Sequence, residues 1–232
     1  RECPQGTQMN EIFKKAALLG DVWILWILLA ASILSVAVML DRWRLFRHNR
    51  IDFAAFYAGL KDRLEQRKTS NALSFCDEFA AMENRIVAEG LKNFPKGAQS
   101  VEEAMKSALV IERGTFEKNL IVLSTMGNNA PFIGHLGTVL GVIKAFHDLG
   151  TAGSAGVSVV MTGISAALIA TAFGILLAIP AVIANNYFQT RLKRATANTQ
   201  SLIHLMQVYL RADNQADFSS SAGTTPGAEH AH

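Results

Sequence analysis

The feature that most constrains this chain is a run of 42 residues, Leu149–Thr190, without a single Asp, Glu, Lys or Arg. A charged side chain at a bilayer centre costs about 2.5–3.5 kcal/mol on insertion scales, and that penalty selects charge-free runs. The run exceeds the ~20 residues that cross a ~30 Å hydrocarbon core, so it divides into a short loop and one long helix. A second run, Val22–Leu40, holds 19 residues with no charge. A third, roughly Leu120–Phe146, has a single charge, Lys144, near its end. Together they predict an all-α membrane protein with three transmembrane helices and long cytoplasmic helical extensions.

The basic residues orient these spans. Of 22 Lys and Arg, 14 lie between Arg42 and Lys118, and four follow the third span: Arg191, Lys193, Arg194 and Arg211. The loop Asp148–Ser158 has none. By the positive-inside bias, the Arg42–Lys118 region and the C-terminus are cytoplasmic, and the N-terminus is periplasmic. The expected organisation is an outer or interfacial segment over 1–20, spans over 21–42, 119–147 and 158–188, a cytoplasmic helical region over 43–118, and a periplasmic loop over 148–157. A cytoplasmic C-terminal helix over 189–213 and a disordered tail over 214–232, rich in Ser, Gly, Thr and Ala, complete it. Lys14 and Lys15 on the outer side fit an amphipathic helix lying on the leaflet, or the first turns leading into the span.

The cytoplasmic region reads as amphipathic helices. Phe53, Phe56, Leu60 and Leu64 recur at three- and four-residue spacing, and Asn71–Leu91 and Ser100–Leu120 repeat the pattern. Ser100 followed by Glu103 reads as a capping box. Pro95 and Gly97 mark a turn before it. The last of these helices is expected to run straight into the second span, and the third span to continue into the C-terminal helix.

Enzyme chemistry finds no foothold. There is no phosphate loop, no metal-spaced His/Cys/Glu set and no nucleophile–base pair, so no catalytic residue, metal or cofactor is expected. Cys3 and Cys76 would lie on opposite sides of the membrane and read as non-catalytic. Topology accounts for the positive charge, so no nucleic-acid partner is implied.

Two spans are built for close contact. Gly134, Gly137 and Gly141 share one face of the second. Gly163, Ala167, Ala170, Gly174 and Ala178 form a matching stripe on the third. In lipid, helices associate through close backbone approach, which small residues allow. Three spans offer little protein to bury two such faces, so contacts between copies of the chain are expected. Ser158, Thr162, Ser165 and Thr171 on the third span, and Asn128, Asn129, His135 and Thr138 on the second, suit the lining of a polar passage or a seat for a partner's charged group. Pro180 should bend the third span. His135 reads as a packed, hydrogen-bonded structural residue, with a proton relay as the alternative. Lys144 is expected to snorkel outward. No Asp or Glu sits within the spans, so any carboxylate that moves protons must come from another chain.

The segments "LSTMGNNAPFIGHLGTVLGVIKAFHDLG" at Leu123–Gly150 and "GISAALIATAFGILLAIPAVIANNYF" at Gly163–Phe188 resemble the MotA/TolQ/ExbB proton-channel family. The three-span layout agrees with its ExbB/TolQ branch better than with the four-span MotA branch. The resemblance implies a homopentameric ring in the bacterial inner membrane. Its second and third spans would surround a pore housing the single membrane helices of ExbD/TolR-like partners, which supply an intramembrane aspartate. It implies that Thr138 and Thr171 lie near that aspartate and that Pro131 and Pro180 shape the helices; Thr162 and Ser165, read from their place along the third span, are expected to line the ion pathway with them. One residue departs from the family: Ala166 stands where ExbB and TolQ usually carry glutamate. The expected function is a channel or stator subunit of an ion-driven motor that energises an envelope process such as outer-membrane transport. A non-conducting membrane scaffold, or a paralogue serving motility, are the alternatives.

Overall fold

A computed structural model describes residues 22–66, 69–152 and 156–222. The outer segment over 1–20, Cys3, Lys14, Lys15 and the last ten residues lie outside the described residues. Every described element is helical. In chain order they are α1 (Val22–His48), α2 (Phe53–Glu65), α3 (Thr69–Asp77), α4 (Met82–Lys92), a 3-10 turn (Phe94–Lys96), α5 (Ala98–Glu117), α6 (Leu120–Ala152) and α7 (Gly156–Ala222). They divide into an apolar unit, residues 1–43 with 119–189, and a polar unit, residues 44–118 with 190–232. Helices α1 and α7 each contribute to both.

In the apolar unit, α6 and α7 run antiparallel. A Cβ on Gly127 would sit 2.5 Å from the Val182 side chain, one on Gly134 would sit 2.7 Å from the Ala170 carbonyl oxygen, and one on Gly163 would sit 2.7 Å from the Ala145 methyl. As one chain number rises the other falls, which is the register of a helical hairpin. Ile24 and Leu28 of α1 pack with Ala130, Leu177 and Ala178 to complete a small core. The two small-residue stripes therefore face each other within one chain, where contacts between copies had been expected. Large apolar side chains point outward instead: Trp26, Ile33, Phe132, Leu176 and Ile183 are all well exposed. Small residues inside and large ones outside is what a lipid solvent permits, because lipid chains are as apolar as leucine.

Among the described residues, two stretches are long and apolar enough to cross a membrane, one containing α1 and one within α7. Helix α6 has 33 residues, length enough to span. Asn128, Asn129, His135 and its glycines dilute its apolar character, and it is not among the two.

The polar unit has an ordinary hydrophobic core. Phe56, Leu60, Ile86, Val87 and Met105 pack with Leu202 and Met206 from the distal half of α7. Burying each such side chain contributes about 1.5–3 kcal/mol. Phe56 stacks on Phe75 with centroids 5.5 Å apart, and the Arg63 guanidinium lies 3.9 Å over the Phe75 ring. Asp52 caps α2, accepting from the Ala54 and Ala55 amides at 3.1 and 3.3 Å. Arg85 of α4 grips Glu112 of α5 with two bonds, of 2.8 and 2.6 Å.

Four local expectations need correction. The segment Asn71–Leu91 is two helices, not one. The break follows Asp77, and the Asn84 amide donates back to the Cys76 carbonyl at 3.3 Å. Helix α5 starts at Ala98, so Ser100 lies inside it and forms no capping box. Gly97, at φ 92°, turns the chain directly after the Pro95-bearing 3-10 turn. Helix α5 does not run into α6 either. Asn119 adopts φ 65° between them, a left-handed conformation that asparagine tolerates better than most residues. Finally, α7 carries through to Ala222, well into the segment read as a disordered tail. No Gly or Pro occurs between Pro180 and Gly223 to stop it.

Candidate functional site

The closest approach of α6 and α7 builds the site. A Cβ on Gly174 would meet the Ala130 carbonyl oxygen at 2.6 Å and the Gly134 Cα at 3.1 Å, while one on Gly137 would meet the Ala170 methyl at 2.7 Å. Glycine at these positions lets the two backbones touch. Side-chain hydroxyls then reach carbonyls on the opposite helix. Thr138 Oγ1 lies 3.3 Å from the Ala167 carbonyl and 3.4 Å from that of Gly134 in its own helix. Thr171 Oγ1 donates to the Gly134 carbonyl at 3.2 Å. The two threonine hydroxyls also contact each other directly.

This arrangement holds two hydroxyl protons, one per threonine. The acceptors within reach are the carbonyls of Gly134 and Ala167 and the hydroxyl oxygens themselves. Protons can therefore be redistributed without breaking the helix contact. Both side chains are half-buried, and their hydroxyl oxygens keep lone pairs that can accept from a protonated carboxyl group. The geometry can hold or pass a proton-bearing group; by itself it contains no carboxylate.

The other candidate residues are distributed as follows. Gly141 is buried, and Ala167 and Ala170 are fully so. Thr162 is exposed and donates to the Ser158 carbonyl of its own helix at 2.9 Å. Ser165 is exposed on α7. Pro131 and Pro180 lie inside α6 and α7, which continue through them. A hollow of about 380 Å³ lies between the C-terminal part of α6 and the N-terminal part of α7. Lys144, Asp148, Ser158, Thr162, Gly163 and Ala166 line it. Thus Thr138 and Thr171 come together in one place, while Thr162 and Ala166 border another. Lys144 shares that hollow with Asp148, and was expected only to reach outward.

His135 differs from expectation as well. It was read as packed and hydrogen-bonded, but it is exposed on α6. The helical spacing explains why: Gly134, Gly137 and Gly141 occupy the contact face, and His135 stands about 100° round from Gly134.

Sequence reasoning missed several buried polar groups. Ser35 of α1 is fully buried, with no partner for its hydroxyl among the described residues, and the Asn185 side-chain oxygen of α7 is likewise unpaired. In the polar unit, Glu83 is 3% exposed and accepts from Asn198 Nδ2 at 3.3 Å. Burial pushes its carboxyl above the usual carboxylate range, against the pull of backbone and Asn198 hydrogen bonds and of Arg85. A signal was present: Glu83 shares helical spacing with Ile86, Val87, Gly90 and Leu91, so it lies on the apolar face. Nearby, burial, with Asp77 adding to it, pushes the Cys76 thiol up to about 12. Among the described residues no group of three or more His, Cys, Asp and Glu comes together to hold a metal.

Comparison with known proteins matches this framework. The model of the MotA/TolQ/ExbB proton channel family fits residues 78–201, a stretch that contains both threonines, all of α6 and the first part of α7. The Tol-Pal system protein TolQ of Pseudomonas aeruginosa is 31% identical over 201 residues, covering 80% of this chain and 84% of TolQ. The biopolymer transport protein ExbB of Xanthomonas campestris is 40% identical over 91 residues, 39% of this chain and 36% of that protein. ExbB of Helicobacter pylori is 48% identical over 69 residues, 30% of this chain and 48% of the relative. The chain thus aligns with most of TolQ but with less than half of these ExbB proteins.

Proposed function

This chain belongs to the MotA/TolQ/ExbB proton channel family, and we propose that it is the channel-forming subunit of an ion-driven motor in a bacterial inner membrane. In this reading α1, α6 and α7 each cross the bilayer, with the N-terminus periplasmic and the C-terminus cytoplasmic. Copies of the chain, five in the ring the family resemblance implies, surround a central passage. A one-span partner of the ExbD/TolR kind threads it and brings an intramembrane aspartate. The partner's carboxyl group exchanges a proton or another cation beside Thr138 and Thr171, and the resulting motion energises an envelope process.

The observation that carries the reading is the hydroxyl pair of Thr138 and Thr171, tied to the Gly134 and Ala167 carbonyls. It is a proton-accepting surface with no acid of its own, which is what a borrowed carboxylate needs. The test is reconstitution of the full chain in liposomes with a co-expressed one-span protein that carries an intramembrane Asp. Gradient-driven ion uptake is expected, and Thr138→Ala or Thr171→Val should abolish it without dispersing the assembly. An intact complex that moves no ion under any gradient would end the channel reading.

A second reading draws on Ala166. The place where ExbB and TolQ usually carry a glutamate has no acidic side chain here, which favours a scaffold that binds the same partner without conducting. Co-purification with the partner, combined with silent liposomes, would select it.

A further inference from the structure

The polar unit contains a cavity of about 240 Å³ that the channel reading does not use. Its polar wall is made by Asn49, Arg50, Glu83, Arg191, Arg194 and Asn198. Phe46 and Phe116, in edge-to-face contact at 5.2 Å, close its apolar side. Three exposed arginines and one buried glutamate thus line the space. Arg50 and Arg194 have no hydrogen-bond or ion-pair partner among the described residues. Elsewhere in the unit Arg85 is engaged by Glu112 and Arg113 by Glu117, while Arg44 and Arg47, outside the cavity, are unpartnered among the described residues as well.

A guanidinium presents a planar fork of donors that matches the oxygens of phosphate in pairs. Unpartnered forks on two different helix segments, α1 with its following turn and α7, can close on one anion from two sides. The cavity is smaller than the ~300 Å³ at which pockets for drug-sized ligands begin. It therefore suits a single phosphate group, free or attached to something that remains outside. The arginines also follow apolar stretches closely in sequence. Arg191 and Arg194 come just after Phe188, and Arg50 ends the basic run that follows Leu40. Basic pockets at such positions are suited to lipid head groups.

We propose that this cavity is a phosphate-binding site in which Arg50 and Arg194 clamp the anion and Glu83 opposes it. The phosphate comes from the head group of an anionic glycerophospholipid or from a free phosphate in solution. Asn198 has a place in the same arrangement. Its amide donates to Glu83 at 3.3 Å, which holds the carboxylate to one side of the cavity. An incoming phosphate meets a surplus of positive charge and one negative side chain that resists it. Occupancy should therefore rise when that side chain is neutral.

The full chain would be placed in nanodiscs of phosphatidylcholine containing phosphatidylglycerol, extracted, and weighed by native mass spectrometry. A parallel calorimetric titration in neutral detergent would use inorganic phosphate. Retained phosphatidylglycerol with no binding of inorganic phosphate assigns the head-group source, and the reverse assigns the free anion. In whichever arm binds, the Arg50→Gln/Arg194→Gln double variant should weaken binding about tenfold or more. Glu83→Gln should strengthen it, and Arg44→Gln, outside the cavity, should leave it unchanged. The proposal is overturned if neither arm binds, if the double variant binds as the parent does, or if Arg44→Gln weakens binding equally. Should the double variant fail to fold, Glu83→Gln decides: unchanged or weaker binding overturns it.

Discussion

The hydroxyls of Thr138 and Thr171 meet across the contact of α6 and α7, although the residues lie 33 positions apart in the chain. The contact exists because Gly134, Gly137 and Gly174 bring the backbones together around it. With one proton each, one hydroxyl can donate to the other while the second donates to a carbonyl, or both can donate to carbonyls. Such a pair should be coupled energetically. In membrane proteins, hydrogen-bonded side-chain pairs average about 0.6 kcal/mol of coupling and reach ~1.7 kcal/mol. A double-mutant cycle with Thr138→Ala and Thr171→Ala, read from unfolding of the full chain in detergent, should return a coupling in that range. Thr138→Ser should preserve it. Strictly additive losses would show that the hydroxyls do not interact.

The glycines give a prediction of opposite signs. Gly134→Ala places a methyl 2.7 Å from the Ala170 carbonyl oxygen and 3.1 Å from the Thr171 Cα, both backbone atoms. Neither can yield without parting the helices, so a loss of about 1–3 kcal/mol is expected. Gly114 of α5 has nothing within 4 Å of the same added atom. Gly114→Ala should stabilise by up to ~1 kcal/mol, through helix propensity alone. Thermal unfolding of the two variants side by side checks this. Equal responses would mean that the α6–α7 contact is not as close as described.

Much of this is legible in the sequence, and the reasons differ by unit. In the apolar part, charge exclusion and small-residue spacing act locally along one helix, so the long apolar helices and the face bearing Gly134, Gly137 and Gly141 can be read directly. What that face touches is a tertiary fact. The stripe on α6 meets the stripe on α7 in the same chain, which spacing alone cannot distinguish from a contact between copies. In the polar part, Asn119 separates α5 from α6 through a left-handed conformation that asparagine tolerates, but asparagine also occurs within helices, as at Asn128 and Asn129 of α6, so the residue type alone does not mark the break. The spacing puts Glu83 on the apolar face of α4, but its burying partners, Ala195 and Asn198 in the distal half of α7, lie some hundred residues further along the chain. The pairing of Thr138 with Thr171 came from the family motif; periodicity places each on a helix but does not join them.

Glu83 should make stability depend on pH. Its carboxyl titrates above the usual carboxylate range because burial disfavours the charge. Asn198 and Arg85 act against that shift, and Arg50, Arg191 and Arg194 share its cavity. In the unfolded chain the group loses its proton first as pH rises. Over the interval between the unfolded and folded values, the native state binds more protons than the unfolded state. Stability is therefore fully present below the unfolded value and falls as pH rises through the folded one, by up to ~1.4 kcal/mol per pH unit. Glu83→Gln keeps an acceptor for Asn198 and removes the titration. Its melting temperature should exceed that of the parent at neutral pH, and the difference should shrink on acidification. A parent–variant difference that is constant with pH would exclude Glu83 as the source.

Ala166 and Ala170 offer a direct test of which α7 positions can accept a carboxylate. Ala166 borders the hollow that also holds Lys144 and Asp148, so a longer acidic side chain there has both room and a cation within the same space. Ala170 is fully buried against α6, and its methyl would lie 2.7 Å from a Cβ on Gly137. A charge forced into that contact has no partner and costs several kcal/mol. Ala166→Glu should therefore insert and assemble as the parent does, and Ala170→Glu should not. Adding Lys144→Gln to Ala166→Glu should then lower its stability, since the new carboxylate loses the cation that lines the same hollow and keeps Asp148 as a like charge. The measurement is yield and thermal stability of the full chain in detergent across the three variants. If Ala166→Glu is lost as completely as Ala170→Glu, the hollow between α6 and α7 has no room for an acid. A resident carboxylate at this position is then barred by packing as well as absent from the sequence.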